Sequence, residues 1–384
     1  MTDHQPPTTD HQSSADNQRS SVVGRRSSAS APAKLILCGE HAVVYGCPAI
    51  ALPLDGIRAR AAVADGRAGS GILVVARDLR RRWRVADDPG NPLSELVASA
   101  LEYFDTHPLT RSPAHPLTHM PDLKITITST IPIASGMGSG AAVATALVRA
   151  IAGHLGRSLA PAEVSALVYT SEQRFHGTPS GIDNTVIAYE RPIWFKRSNV
   201  QTFERSNVPL IEPIAIAQPF TLLVGDTGVH SATSAPVGEV RRRWQADPAR
   251  YHALFDQVSA LVARARALLA QGDVPALGRL LSANHLLLQQ IGVSSPELDA
   301  LVAAAQRAGA LGAKLSGAGW GGVMLALVTP ATREAVTRAL DQAGAQRVLE
   351  TTIGASTPQI SGNEWSDLTT ECTETTETGG PHPL

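Results

Sequence analysis

The apolar positions fall into two kinds of run, short continuous or alternating stretches and longer ones at helical spacing. AKLILCGE (33–40) opens the patterned part of the chain as a strand-like run. GCPAIALPL, IRARAAVAD and GILVVAR follow as strands, with Gly, Pro and Asp as punctuation, and RRRWRV extends this β-rich section. PLSELVASALEYF carries apolar residues at helical spacing, and the Pro- and His-rich stretch 106–122 reads as a surface loop. LKITITST alternates as a strand does, with Ile125 and Ile127 on one face. A Gly-rich turn leads into the helical run AAVATALVRAIAGHL, and PAEVSALVYTSEQRF is a second helix with Pro161 near its first turn. SNVQTFERSNVP is polar and reads as a link between domains. Beyond it come the strand PFTLLVGDT and helices over about 236–309. KLSGAG and GVMLALV read as paired strands around a Gly-rich turn, TREAVTRALDQAG as a helix and QRVLETTI as a closing strand. Helices and strands mix without strict βα alternation, so the expected class is α+β.

The two ends lack this patterning. Residues 1–27 and 354–384 are rich in Ser, Thr, Gln and Pro or in Thr, Glu and Gly, and are expected to be disordered tails. Between them the pattern divides into an N-terminal domain over 28–198 and a C-terminal one over 199–353. With 384 residues and 43% hydrophobic positions, the chain has ample material for buried cores. Lys and Arg number 33 against 34 Asp and Glu, which argues against a dedicated nucleic-acid binder. No apolar run approaches a membrane span, and the N-terminus has no apolar signal region, so a cytoplasmic protein is expected. Three cysteines, at 38, 47 and 372, with no CxxC spacing, give neither a disulfide framework nor a zinc site.

Four segments carry candidate chemistry. In IPIASGMGSGAAVATALVRA (131–150), three glycines among small residues precede a helix, so backbone N–H groups and the helix N-terminus are suited to a phosphate. A tight strand-to-helix turn would use the same residues. The loop lacks the GK[ST] ending of a Walker A motif, and the alternation of Gly136, Gly138 and Gly140 is not GxGxxG. In AKLILCGEHAVVYG (33–46), Lys34 lies near a strand's start and Glu40 and His41 at its end, where polar residues suit a ligand crevice or simply a solvated turn. In SEQRFHGTPSGIDNTV (171–186), Ser180 to Asp183 fits a capping box, the simplest role for both residues; a functional role would make Asp183 a base or orienting charge and Glu172 a metal ligand. GAKLSGAGWGG (312–322) has five glycines in eleven residues, as in a tight hairpin or a backbone that approaches a ligand. A backbone cradle, a cation, a metal carboxylate and an orienting Asp are together the parts of a phosphotransferase.

These residues resemble the GHMP kinases, the superfamily of galactokinase, homoserine kinase, mevalonate kinase and phosphomevalonate kinase. APAKLILCGEHAVVYGCPAIALPL (31–54) and FHGTPSGIDNTV (175–186) are most similar to the mevalonate kinase branch. The resemblance covers nearly all of 30–353. It implies an N-terminal α+β domain and a ferredoxin-like C-terminal domain with the site between them, transfer of the ATP γ-phosphoryl to the 5-hydroxyl of mevalonate, and Mg²⁺ as cofactor. It implies Asp183 and Lys34 as the catalytic pair, and Gly136, Met137, Gly138, Ser139, Gly140, Ala141 and Ala142 around the ATP phosphates. It further implies Glu172 and Ser139 at the metal, Glu40, His41 and Ser180 in the mevalonate pocket, and a homodimer by analogy with family members.

Two positions depart from the family pattern. Its loop usually reads Gly-Leu-Gly-Ser-Ser-Ala, and Gly140 here replaces the second Ser, the usual metal-linked hydroxyl. Trp320 interrupts the C-terminal glycines, and since a Trp needs a negative φ more strictly than Gly, a different turn is expected there. The alternatives are another GHMP kinase, acting on phosphomevalonate or a sugar, and a non-catalytic ligand-binding protein on the same scaffold.

Overall fold

A computed structural model describes residues 26–106, 121–133, 135–176, 180–197, 209–230 and 233–354. The expected tails, apart from Arg26, Ser27 and Gly354, lie outside the described residues, as do the tip of the 106–122 loop and most of the 198–209 link. Arg26 and Ser27, placed by the sequence pattern in the tail, are paired strand residues.

The first sheet has seven strands, β1 (Arg26–Cys38), β2 (Ala49–Asp65), β3 (Ile72–Ala76), β4 (Arg81–Arg84), β5 (Leu123–Ser129), β6 (Ile193–Lys196) and β7 (Leu210–Pro213), in the order β4-β3-β5-β2-β6-β7 with β1 on β2. GCPAIALPL and IRARAAVAD form one long strand, β2, since its Asp55-Gly56 step bends the chain without ending the pairing. β7 pairs with β6, so the first domain extends past the link at which the sequence pattern divided the chain. Four helices accompany this sheet: α1 (Pro92–Thr106), α2 (Ser139–His154), α3 (Pro161–His176) and α4 (Ile182–Tyr189).

The second sheet joins β8 (Phe220–Asp226), β9 (Gly312–Ser316), β10 (Val323–Val328) and β11 (Arg347–Ile353), all antiparallel, in the order β11-β8-β10-β9. Helices α5 (Ser234–Ala246), α6 (Pro248–Gln271), α7 (Val274–Ile291) and α8 (Pro296–Arg307) separate β8 from β9, and α9 (Arg333–Gln342) separates β10 from β11. That βαββαβ succession is the ferredoxin-like arrangement the resemblance implies. Asp247, Asp273 and Ser295 cap α6, α7 and α8 through their side chains, each with a proline in the first turn.

The two domains meet along β1. From Ala31 to Cys38 every residue of β1 is buried, because α2 packs against the strand on the side of its own domain while α6, α7 and β9 reach it from the other. Any side chain in this half of β1 therefore lies within one core or at the seam. Among the described residues, no helix is long and apolar enough to cross a membrane.

Candidate active site

Lys34 is 3% exposed, and its Nζ lies 2.9 Å from Oδ1 of Asp183, whose side chain is 32% exposed. A buried ammonium needs such a partner. Asp183 stands in the first turn of α4, but it does not cap it. The N-cap is Gly181 at φ 85°, no side chain caps the helix, and the Ser180 hydroxyl accepts only the Ile182 N–H, at 3.4 Å. The capping role suggested by the sequence is thus replaced by an ion pair across the domain. Glu172, half-buried on α3, faces the same place: burial first and the Asp183 charge second push its carboxyl up to about 8, against the pull of Lys34. Two carboxylates and one ammonium leave this corner short of positive charge, a donor set of the kind a divalent cation takes.

The 136–142 loop lies against Lys34. The Lys34 N–H donates to the Met137 carbonyl at 3.0 Å, and a Cβ on Gly138 would stand 2.9 Å from both Cγ of Lys34 and Cδ1 of Ile187. Gly138, at φ 73°, is the N-cap of α2 and offers no side-chain cap, unlike the residues before α6, α7 and α8. The first-turn amides of α2 are therefore left for a ligand, with the positive end of the helix dipole behind them. Met137, Ala141 and Ala142 are buried and give the loop its footing. Gly140 is exposed and a Cβ there would meet nothing within 4 Å.

The second domain closes over this loop. Gly322 and Gly317 pack on the backbone of Ser135 and Gly136 so tightly that a Cβ at 322 would stand 2.9 Å from the Ser135 carbonyl. Trp320 does not change the turn as its bulk suggests. It adopts a glycine-like φ of 57°, held by its N–H on the Val293 carbonyl at 2.9 Å and its indole N–H on the Gly292 carbonyl at 3.1 Å. Two hydrogen bonds offset the cost of a conformation that L side chains avoid.

Glu40 and His41 lie at the seam. The imidazole is buried and its Nε2–H donates to the Ala318 carbonyl at 2.8 Å, while burial pulls its pKa down to about 4. His41 is therefore a neutral ring near neutral pH, not a cation awaiting a substrate carboxylate. Glu40 is 2% exposed and pairs with Lys314, which is fully buried on β9. The sequence pattern missed Lys314. Its signal was a charged residue inside GAKLS, a strand otherwise suited to a core, but the neighbouring glycines drew the attention. Ser316, also missed, accepts the Ile36 N–H at 3.1 Å and donates to the Ile36 carbonyl at 2.9 Å. Of the HGTPSGIDN string, Gly177 to Pro179 lie outside the described residues.

Two family models match the chain: the GHMP kinases N-terminal domain over residues 95–191 and the GHMP kinases C-terminal model over 265–346. The mevalonate kinase of Thermococcus sibiricus is 34% identical over 340 residues, covering 84% of this chain and 94% of that one. The chain belongs to the GHMP kinases. Another relative in this family, the mevalonate kinase of Pyrococcus horikoshii, is 33% identical and covers 80% of this chain and 90% of its own. Among solved GHMP kinases, the L. major mevalonate kinase in complex with R-mevalonate superposes with a TM-score of 0.70 at 28% identity, covering 86% of this chain and 97% of that one. The Streptococcus pneumoniae phosphomevalonate kinase, at 17% identity and a TM-score of 0.70, shares the fold.

Proposed function

We propose that this GHMP kinase is an ATP-dependent mevalonate kinase, which moves the γ-phosphoryl of ATP onto the 5-hydroxyl of mevalonate. The observation that carries the mechanism is the Lys34–Asp183 pair, set at 2.9 Å beside a glycine loop whose helix has no side-chain cap. Curated mevalonate kinases matching over most of the chain support the acceptor.

In this mechanism the uncapped amides of α2 and the 136–142 backbone hold the ATP phosphates. Asp183 accepts a hydrogen bond from the substrate hydroxyl and takes its proton as the oxygen attacks. Lys34 stabilises the oxygen while it carries negative charge. The new oxygen–phosphorus bond forms as the bond to the β-phosphate oxygen breaks, giving 5-phosphomevalonate and ADP. Glu172 and the Ser139 hydroxyl would hold Mg²⁺, which when bound supplies charge neutralisation at the β- and γ-phosphate oxygens. Ser180, Glu40 and His41 line the acceptor side, with His41 serving as a neutral hydrogen-bonding ring. The same proposal places the enzyme in the cytoplasm with its ATP supply, and as a homodimer by kinship.

A coupled ADP-release assay across mevalonate, phosphomevalonate and galactose tests the acceptor. Release with mevalonate is expected. Release with galactose or phosphomevalonate alone overturns the choice of acceptor, and release with none overturns the kinase assignment in favour of a ligand-binding protein.

A further inference from the structure

One short segment of the second domain supplies three contacts to the region around Glu40. Lys314 holds Glu40, Ser316 holds the backbone of Ile36 in both directions, and the Ala318 carbonyl holds His41. Two adjacent residues assigned to the acceptor side are thus each fixed by a partner from the far domain. The Glu40 carboxylate is only half satisfied. Its Oε1 accepts from Lys314, whose Nζ also donates to the Leu315 carbonyl, while its Oε2 is buried with no hydrogen-bond partner among the described residues. A buried carboxylate oxygen without a donor is costly, and a donor supplied by a ligand removes that cost.

We propose that Lys314 is a positioning residue for acceptor recognition: it holds Oε1 of Glu40 so that Oε2 is left to accept a hydrogen bond from an acceptor hydroxyl. This rests on the assignment of Glu40 to the acceptor pocket. The ferredoxin-like domain then sets the affinity for the acceptor alcohol as well as covering the phosphate loop. Lys314 itself is fully buried and acts through Glu40.

Among the described residues, no other neighbour of the pair supplies a charge to replace that of Lys314 near neutral pH. Cys38 stays a neutral thiol, pushed up to about 12 by burial and by Glu40. His41 is neutral above about 4. His285 on α7 accepts the Leu315 N–H on Nδ1 and donates from Nε2 to Asp299 of α8, and burial lowers its pKa. If Lys314 is replaced by Met, Glu40 becomes a buried carboxyl without its cation.

The experiment is steady-state kinetics of the full chain and Lys314→Met with mevalonate and ATP varied in turn. The expected result is a mevalonate KM raised roughly 10-fold or more, as loss of a hydrogen bond to a charged group implies, with the ATP KM within about twofold of the parent. An equal rise in the ATP KM overturns the proposal and leaves Lys314 as a domain clasp. Because Lys314→Met strands a charge and can fail to fold, Glu40→Gln/Lys314→Met is measured beside it. That neutral pair should melt near the parent and still bind mevalonate poorly, and recovery of the mevalonate KM with the melting temperature counts against the proposal. If the parent uses another GHMP acceptor in place of mevalonate, the substrate assignment falls, and the same series on that acceptor still decides the role of Lys314.

Discussion

Lys34 and Lys314 make a natural experiment within one molecule. Each lies on a strand, each is buried, and each has one carboxylate partner. Asp183, the partner of Lys34, keeps about a third of its side chain exposed, whereas Glu40, the partner of Lys314, is sealed. A charge pair with one face open can exchange its hydrogen bonds for a substrate's at little cost. A sealed pair must keep its own ion pair and can offer a ligand only an oxygen that pair leaves unused, because removing either member leaves an uncompensated buried charge at about 3–5 kcal/mol. On the proposed function the same chemistry serves reaction in one pair and geometry in the other, and solvent access is what separates them.

Variants of the open pair should move turnover more than stability. The largest effect belongs to Asp183→Asn. An amide cannot take the hydroxyl proton, so kcat should fall roughly 100-fold or more, while the melting temperature falls modestly, because the Asn oxygen can still accept from the buried Lys34 ammonium but brings it no charge. Near-normal kcat would place the proton acceptor elsewhere. Lys34→Met comes next, with kcat lower by roughly 10- to 100-fold and a smaller change in the ATP KM, since its charge matters most when the attacking oxygen is anionic. Collapse of ATP affinity with kcat preserved at saturation would make Lys34 a phosphate anchor instead.

Glu172→Gln sharpens the electrostatic side of the comparison. The Mg²⁺ needed for half-maximal rate should rise about 10-fold, a typical size for loss of a supporting ligand. Its effect on stability has a definite sign. The Glu172 pKa is raised in the folded protein from 4.5 to about 8, so its contribution is fully present below 4.5 and is lost as pH rises through 8. In metal-free protein at pH 9 the Gln variant should accordingly melt at or above the parent, and a lower melting temperature there would show that Glu172 makes a favourable ionised contact. Gly140→Ser should do least. The added side chain meets nothing within 4 Å, and leaving glycine in a helix's first turn gains up to about 0.5 kcal/mol. Calorimetry should show a melting temperature equal or slightly higher, and a marked fall in kcat would mean that the bare backbone at 140 itself contacts the phosphates.

Local pattern made most of the elements legible. LKITITST became β5, AAVATALVRAIAGHL the body of α2, and KLSGAG with GVMLALV the β9–β10 hairpin, because each depends on periodicity over a few residues. β7 escaped, since four half-exposed residues across a polar link carry no period strong enough to assign them to the earlier sheet. At the site, Lys34, Glu172 and Asp183 were legible from motif strings, but what joins them was not. The choice between Asp183 as a cap and as an ion-pair partner turns on where its side chain points, which φ 85° at Gly181 decides and composition does not. Trp320 misled for a related reason: a steric preference is a local cost, and two hydrogen bonds to the α7–α8 corner overrule it. Lys314 was missed because its partner, Glu40, lies across the seam between the domains.

Glu40 and Lys314 stand 274 positions apart. During synthesis the chain emerges from its N-terminus, so β1, α2 and α4 with the Lys34–Asp183 pair are available to fold while the ribosome is still adding the second domain. Until β9 leaves the exit tunnel, Glu40 has no cation and its turn has nothing to seal against. The first domain can therefore assemble the reacting pair early, but the seam around Glu40 stays wet and open until nearly the whole protein has been made. On the proposed role of Glu40, competence to hold an acceptor arrives as one of the last events of biogenesis.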